Sequence, residues 1–297
     1  MSSFKDDFNY VWNKPDNGLM RIIIINVTIF FIVNLGWLFT GDMSTISQFL
    51  RIPSDPYAFL MKPWTLFTHF FTHSGFWHIF WNLIVLYWFG QLFVSFSGNR
   101  RMIALYILGG LAGGIAYFTL ANTIPFFEAR AGVGALGASA AVNAIIVGAA
   151  TLMPDYRVHL FLIGPAKLKY IALVVVILAI FGIRGANTGG EVAHLGGALM
   201  GFLFVRQLRN GSDWSTPVLN VLDWFSNLTK PKSKLKVSYR NNKKSKKKKG
   251  GSKDKDNTPD QNSVDRILDK ISESGYEKLS EEEKQILFRA SQKKGQN

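Results

Sequence analysis

Apolar residues gather along this chain into six runs: Met20–Thr40, Gly75–Phe96, Met102–Ala121, Gly132–Leu152, Ala166–Gly182 and Gly189–Leu208. Each approaches the roughly 20 helical residues that cross about 30 Å of hydrocarbon. Bare backbone cannot face lipid, so the runs are expected to be helices. Chain breakers separate them, among them "GNRR" (Gly98–Arg101), "IPFFEAR" (Ile124–Arg130), "MPDYR" (Met153–Arg157) and "RGANTGG" (Arg184–Gly190). The first run is longer than a signal-peptide core, lacks a small-residue cleavage site and follows a polar segment with Asp6, Asp7 and Asp16, so it is expected to stay as a span.

Polar positions set the orientation. Lys5, Lys14 and Arg21, then Arg100 and Arg101, then Arg157, Lys167 and Lys169 alternate with connections poorer in basic residues. By the positive-inside rule both termini are expected in the cytoplasm. The second, fourth and sixth spans then begin at the outer face. The first connection, Gly41–Ser74, is unusual because "FLMKPWTLFTHFFTH" (Phe59–His73) is too aromatic for a solvated loop. It is expected to lie on or dip into the outer leaflet.

After Leu208 the pattern inverts. Lys230–Lys249 holds eleven Lys or Arg and no Asp or Glu, and Lys230–Asp260 has almost no apolar residues, a composition expected to be disordered. Such a tract suits anionic lipid headgroups; with no folded reader beside it, no nucleic acid is expected as a partner. Beyond it, Ser263–Ser291 reads as two short amphipathic helices. Ile267, Leu268 and Ile271 mark the first, Gly275 stops it, and Ser280-x-x-Glu283 forms a capping box that opens the second ahead of Ile286 and Leu287. The divisions expected are a cytoplasmic segment 1–19, a six-helix membrane domain 20–208, a basic disordered linker 209–262 and a small helical segment 263–297.

Composition changes this picture in two ways. The chain has 297 residues and a mean hydropathy of +0.12, an average that conceals an apolar part and a basic tail; the tract just described supplies most of the net charge of +14. It has no cysteine, which excludes disulfides, thiolate metal sites and cysteine nucleophiles. No cofactor is implied.

Polar side chains inside hydrocarbon need a partner or a task. His78 is about one turn into the second run, with Asn82 at i+4 on the same helix face. Ser139 lies seven residues into the fourth, and His194 about one turn into the sixth. All three runs enter from the same side, so the four groups fall in one layer in the outer part of the membrane. Glycine and alanine surround them: Gly132, Gly134, Gly137, Ala138 and Ala140 in the fourth run, and the Gly197-x-x-x-Gly201 seam in the sixth. An imidazole can take the proton of a hydroxyl as it attacks a carbonyl and then give it to a leaving amine. His78, Asn82 and the Ser139 backbone N–H are candidate donors to the resulting oxyanion. Glu191, three residues before His194, reads as an interfacial charge, which leaves a Ser–His dyad. A metal or transport site on His69, His73, His78 and His194 is a rival reading, since His69 and His73 have the i,i+4 spacing of paired ligands.

With those residues in view, the sequence resembles the rhomboid intramembrane serine proteases. "HIFWN" (His78–Asn82) matches their H-x-x-x-N, "GASA" (Gly137–Ala140) their G-x-S-x, and "AHLGGALMG" (Ala193–Gly201) their A-H-x-G-G, in the family's order and on its second, fourth and sixth helices. The resemblance implies an all-α, six-transmembrane-helix bundle. It implies Ser139 as nucleophile, His194 as base, and His78 and Asn82 at the oxyanion. Substrates would be single-pass membrane proteins cut within their transmembrane segments, the fifth helix and the loop before the sixth serving as gate and cap. A bacterial inner membrane is the expected location. Three positions depart from the family pattern: Ala140, often Gly; Asn143, a Tyr packing on the histidine in well-studied members; and Thr65 after Trp64, often Arg. Relatives that bind transmembrane helices without catalysis typically lose the Ser or the His, and this chain keeps both.

Overall fold

The computed structural model describes residues 3–14, 16–40, 43–132, 134–160, 164–229 and 261–294. It divides into two compact units, 1–232 and 233–297. In chain order the first holds α1 (Phe4–Asn13), α2 (Gly18–Thr40), α3 (Met43–Leu50), α4 (Pro56–Met61), α5 (Thr65–Thr68), a 3₁₀ turn (His69–Phe71), α6 (Phe76–Ser97), α7 (Asn99–Thr123), α8 (Pro125–Glu128) and α9 (Ser139–Leu152). It continues with the strands β1 (Arg157–Leu160) and β2 (Gly164–Lys167), then α10 (Leu168–Gly182), α11 (Thr188–Arg209) and α12 (Ser215–Thr229). Among the described residues three helices, α2, α6 and α7, are long and apolar enough to cross a membrane, and α9 and α10 are shorter apolar helices.

Helices α7, α9 and α11 form the core, and small residues bring their backbones together. A Cβ at Gly197 would overlap the Ala140 carbonyl, and one at Gly201 the Ala144 carbonyl. At Gly113 a Cβ would meet the Ala140 methyl and lie 2.8 Å from the Ala193 carbonyl oxygen. Without apolar burial against water to drive association, close van der Waals contact of this kind is what holds membrane helices together. Polar ties join elements distant in sequence. Asn26 on α2 donates to the Ile22 carbonyl (2.9 Å) and to the Tyr106 hydroxyl of α7 (3.0 Å), while Tyr106 donates to the Phe70 carbonyl (3.0 Å).

The aromatic first connection is two-sided. Thr65, His69, Phe70, Phe71, Thr72 and His73 are buried, whereas Tyr57, Leu60, Met61 and Trp64 are exposed. This fits an insert with one face on the bundle and the other turned to an apolar surrounding.

Three expectations change. The fourth run is not helical from Gly132. Its helix starts at Ser139, and Gly132, Gly134 and Gly137 before it have φ of 65°, 126° and 123°, values that favour glycine. The segment satisfies its backbone against the first connection rather than within a helix: Ile52 and Ala135 exchange two N–H···O bonds of 3.0 Å, and the Gly137 N–H donates to the His69 carbonyl at 2.9 Å. Extended backbone is tolerable at this depth where protein covers it. Second, the molecule is not purely α-helical, because β1 and β2 form an antiparallel pair with Arg157 opposite Lys167. Third, the stretch expected to be linker, 209–262, includes α12 and the first two residues of the helix that opens at Gln261; residues 230–260 lie outside the described residues.

The second unit contains α13 (Gln261–Ser274), a 3₁₀ turn (Tyr276–Lys278) and α14 (Glu281–Lys294). Gly275 breaks the first helix at φ 82°. The capping box is formed: the Glu283 N–H donates to Ser280 Oγ (3.3 Å) and the Ser280 N–H to Glu283 Oε2 (2.8 Å). Lys270 pairs with Glu283 across the hairpin at 2.9 Å, holding that carboxyl below its usual range. Ile267 and Leu279 are its buried apolar residues.

Candidate active site

His78, Asn82, Ser139 and His194 line one cavity of about 670 Å³, together with Arg130, Gly134 and Ala135 before α9 and Ala186 and Asn187 before α11. The four residues sit near the starts of α6, α9 and α11, which begin at the same side of the bundle, so their coincidence in depth becomes coincidence in space.

Ser139 is the first residue of α9. His194 Nε2 lies 2.7 Å from its Oγ, a full hydrogen bond between residues 55 positions apart. The other ring nitrogen, Nδ1, is 3.0 Å from Glu191 Oε2. Both side chains of that second contact are about four-fifths buried, at 20% and 21% exposure. Glu191 therefore does not simply face the interface, as the sequence suggested. Its spacing of three before His194 was the signal, since i and i+3 share a helix face.

His78 takes its place from two neighbours. Its Nδ1 is 3.1 Å from Ser74 Oγ, and its Cε1 and Nε2 lie where a Cβ on Gly137 would be, 2.7 Å away. Glycine at 137 is thus required twice, by its backbone conformation and by the imidazole beside it. Asn82 reaches the cavity wall and donates Nδ2 to the His78 carbonyl at 2.8 Å. Asn143, at the position where the family pattern has tyrosine, is buried and donates to the Ser139 carbonyl at 2.8 Å.

Two further histidines support the serine from outside the spans, and sequence reasoning did not find this role. His73 Nε2 accepts the Ala138 N–H at 3.3 Å, and the His69 carbonyl accepts Gly137. Burial pushes the His73 imidazole down to about 3, helped by the neighbouring His78, and burial takes His69 down to about 4, so both rings are neutral and His73 can act as an acceptor. His69 Nδ1 is 2.9 Å from the Thr65 carbonyl. The two rings thus have separate backbone partners instead of converging as a ligand pair, and among the described residues no three His, Asp or Glu side chains gather as metal ligands.

Fold and site together define a helical membrane protein with a serine–imidazole pair in a polar, half-open cavity. Comparison with known proteins narrows this further. The Rhomboid domain family matches residues 61–210, half of the chain, and the chain belongs to the rhomboid family. A second match, over residues 254–293, is to a family of unknown function (DUF6576). Similar proteins include Rhomboid protein 1, mitochondrial, of Saccharomyces cerevisiae, 27% identical over 201 residues that cover 66% of this chain and 55% of the relative. RHOMBOID-like protein 12, mitochondrial, of Arabidopsis thaliana is 33% identical over 158 residues, 50% of this chain and 47% of the relative. The human Presenilin-associated rhomboid-like protein, mitochondrial, is 27% identical over 214 residues, 68% of this chain and 52% of the relative. The chain thus spans about half the length of the curated relatives it matches. Their names place them in mitochondria, which lends no support to the expected bacterial inner membrane; the apolar helices establish membrane character alone.

Proposed function

We propose that this protein is an intramembrane serine endopeptidase that cuts transmembrane segments of single-pass membrane proteins. The observation that carries the reading is the 2.7 Å contact between Ser139 Oγ and His194 Nε2 at the wall of a cavity large enough for a peptide strand and water. In the proposed reaction Ser139 Oγ bonds to the scissile carbonyl carbon as its proton passes to His194 Nε2. The tetrahedral intermediate collapses, the C–N bond breaks, and Nε2 returns the proton to the leaving amine. Water then attacks the acyl-enzyme by the same path. His78, Asn82 and the Ser139 N–H are the proposed oxyanion donors, preorganised by the helix starts that carry them.

Six spans complete the proposal: α2, α6, α7, α9 with the extended segment before it, α10 and α11. α9 alone measures about 21 Å at ~1.5 Å per residue, short of the ~30 Å hydrocarbon thickness. The missing length is the segment that approaches the cavity, which gives water a way to a serine at membrane depth. Membrane lipids and transmembrane substrates are the proposed partners.

The test is a fluorophosphonate probe on the purified protein, which phosphonylates activated serines. Labelling mapped to Ser139, and lost in His194→Ala, is expected. An unlabelled, folded wild-type protein with no cleavage of transmembrane substrates would favour a helix-binding protein without catalysis.

A further inference from the structure

We infer that Glu191 is a positioning residue for His194, so that the site is a Ser139–His194–Glu191 triad rather than a dyad; the inference rests on the protease reading above. Three observations carry it. The first is geometric: Glu191 Oε2 and Ser139 Oγ contact opposite nitrogens of one imidazole, at 3.0 Å and 2.7 Å. A carboxylate accepts hydrogen bonds and does not donate them, so its partner must be the Nδ1–H tautomer. That tautomer leaves the Nε2 lone pair facing Ser139, as a general base requires.

The second is packing. A Cβ at Gly182, the last residue of α10, would stand 2.8 Å from both Cγ and Cδ of Glu191. The carboxyl therefore occupies a space that exists because α10 ends in glycine. The third is electrostatic: Glu191 lies in the first turn of α11, where the unsatisfied N–H groups favour a negative charge. When the serine proton arrives at Nε2, the imidazolium is paired at Nδ1 with a carboxylate already in place.

The test uses the purified full chain in detergent. Glu191→Gln preserves volume and removes the charge and the tautomer preference. Its kcat is expected to fall at least about tenfold with KM unchanged, short of the roughly 10⁴ that neutralising a buried triad carboxylate costs. The rate of fluorophosphonate labelling at Ser139 should fall by the same factor, a readout that packing alone does not move. Gly182→Ala should lower kcat by displacing the carboxyl, and should have no further effect in a Glu191→Ala background, where nothing remains to displace. That second comparison decides the matter if Glu191→Gln folds poorly. A folded Glu191→Gln protein that labels and cleaves at wild-type rates overturns the triad and leaves the protease reading intact. Slower cleavage with unchanged labelling also overturns it, because Glu191 would then act on substrate or packing. A wild-type protein that neither labels nor cleaves sinks both.

Discussion

The two ends of α9 contrast. At its start, Ser139 is half-buried on the wall of a cavity, preceded by three glycines with positive φ. From Ala140 to Ala150 every residue is buried, and Ala140 and Ala144 stand so close to α7 and α11 that Gly109, Gly113, Gly197 and Gly201 have no room for a Cβ. One small-residue helix serves both needs: close packing below, and above it a break in regular structure that exposes a hydroxyl. The lesson is that the glycines do different work on either side of Ser139. Gly197 and Gly201 admit a neighbouring backbone, whereas Gly134 and Gly137 admit a conformation and, at 137, a histidine ring.

The largest expected effect at the open end is that of Ser139→Ala. Proteolysis should drop below detection, since loss of a serine nucleophile costs about 10⁶ in kcat in a comparable enzyme, while the melting temperature in detergent stays unchanged. Persisting wild-type cleavage would remove the nucleophile from the proposal.

At the sealed end, Gly197→Ala should act the other way round. Its methyl would overlap the Ala140 carbonyl, and overpacking of this kind costs about 1–3 kcal/mol. A lowered melting temperature is expected, with activity per folded molecule largely retained; equal stability would mean that α11 can shift away from α9 at little cost.

Asn82→Ala tests the cavity wall. One oxyanion donor is commonly worth about 10²–10³ in rate, and three proposed donors share the task here, so kcat should fall towards the lower figure without vanishing. A change confined to KM would assign Asn82 to substrate binding.

The contrast itself can be read with single cysteines, introduced into a chain that has none. A cysteine at position 139 should react with a water-soluble thiosulfonate in the folded protein, and one at Ile146 should not. Equal protection at both would deny water access to the serine. The smallest effect is expected from deleting residues 263–297, which belong to the second compact unit, 233–297. Cleavage of a transmembrane substrate in detergent should be unchanged, and its loss would reveal a coupling.

Much of this was legible in the chain. Helices α2, α6, α7 and α11 begin and end within three residues of the apolar runs, because length and hydropathy are summed locally and chain breakers punctuate them. Ser139, His194, His78 and Asn82 were legible as candidates for the same reason: a polar group in an apolar run is conspicuous by its cost. The capping box at Ser280 and Glu283 was equally readable from a four-residue pattern.

Other features depend on residues distant in sequence, and only the tertiary structure decided them. The start of α9 at Ser139 rather than Gly132 follows from Ile52, His69 and His73 offering partners to Ala135, Gly137 and Ala138 across 65 or more positions. Local pattern cannot reveal a backbone partner that lies in another element. The surroundings of Glu191 follow from where α10 ends, since the room for its carboxyl is the absent side chain of Gly182. Hydropathy is a property of single residues and short windows, so the sequence by itself determined which segments are apolar and which polar groups stand among them. Hydrogen-bond partners and vacant space belong to pairs of segments, and those had to wait for the packing.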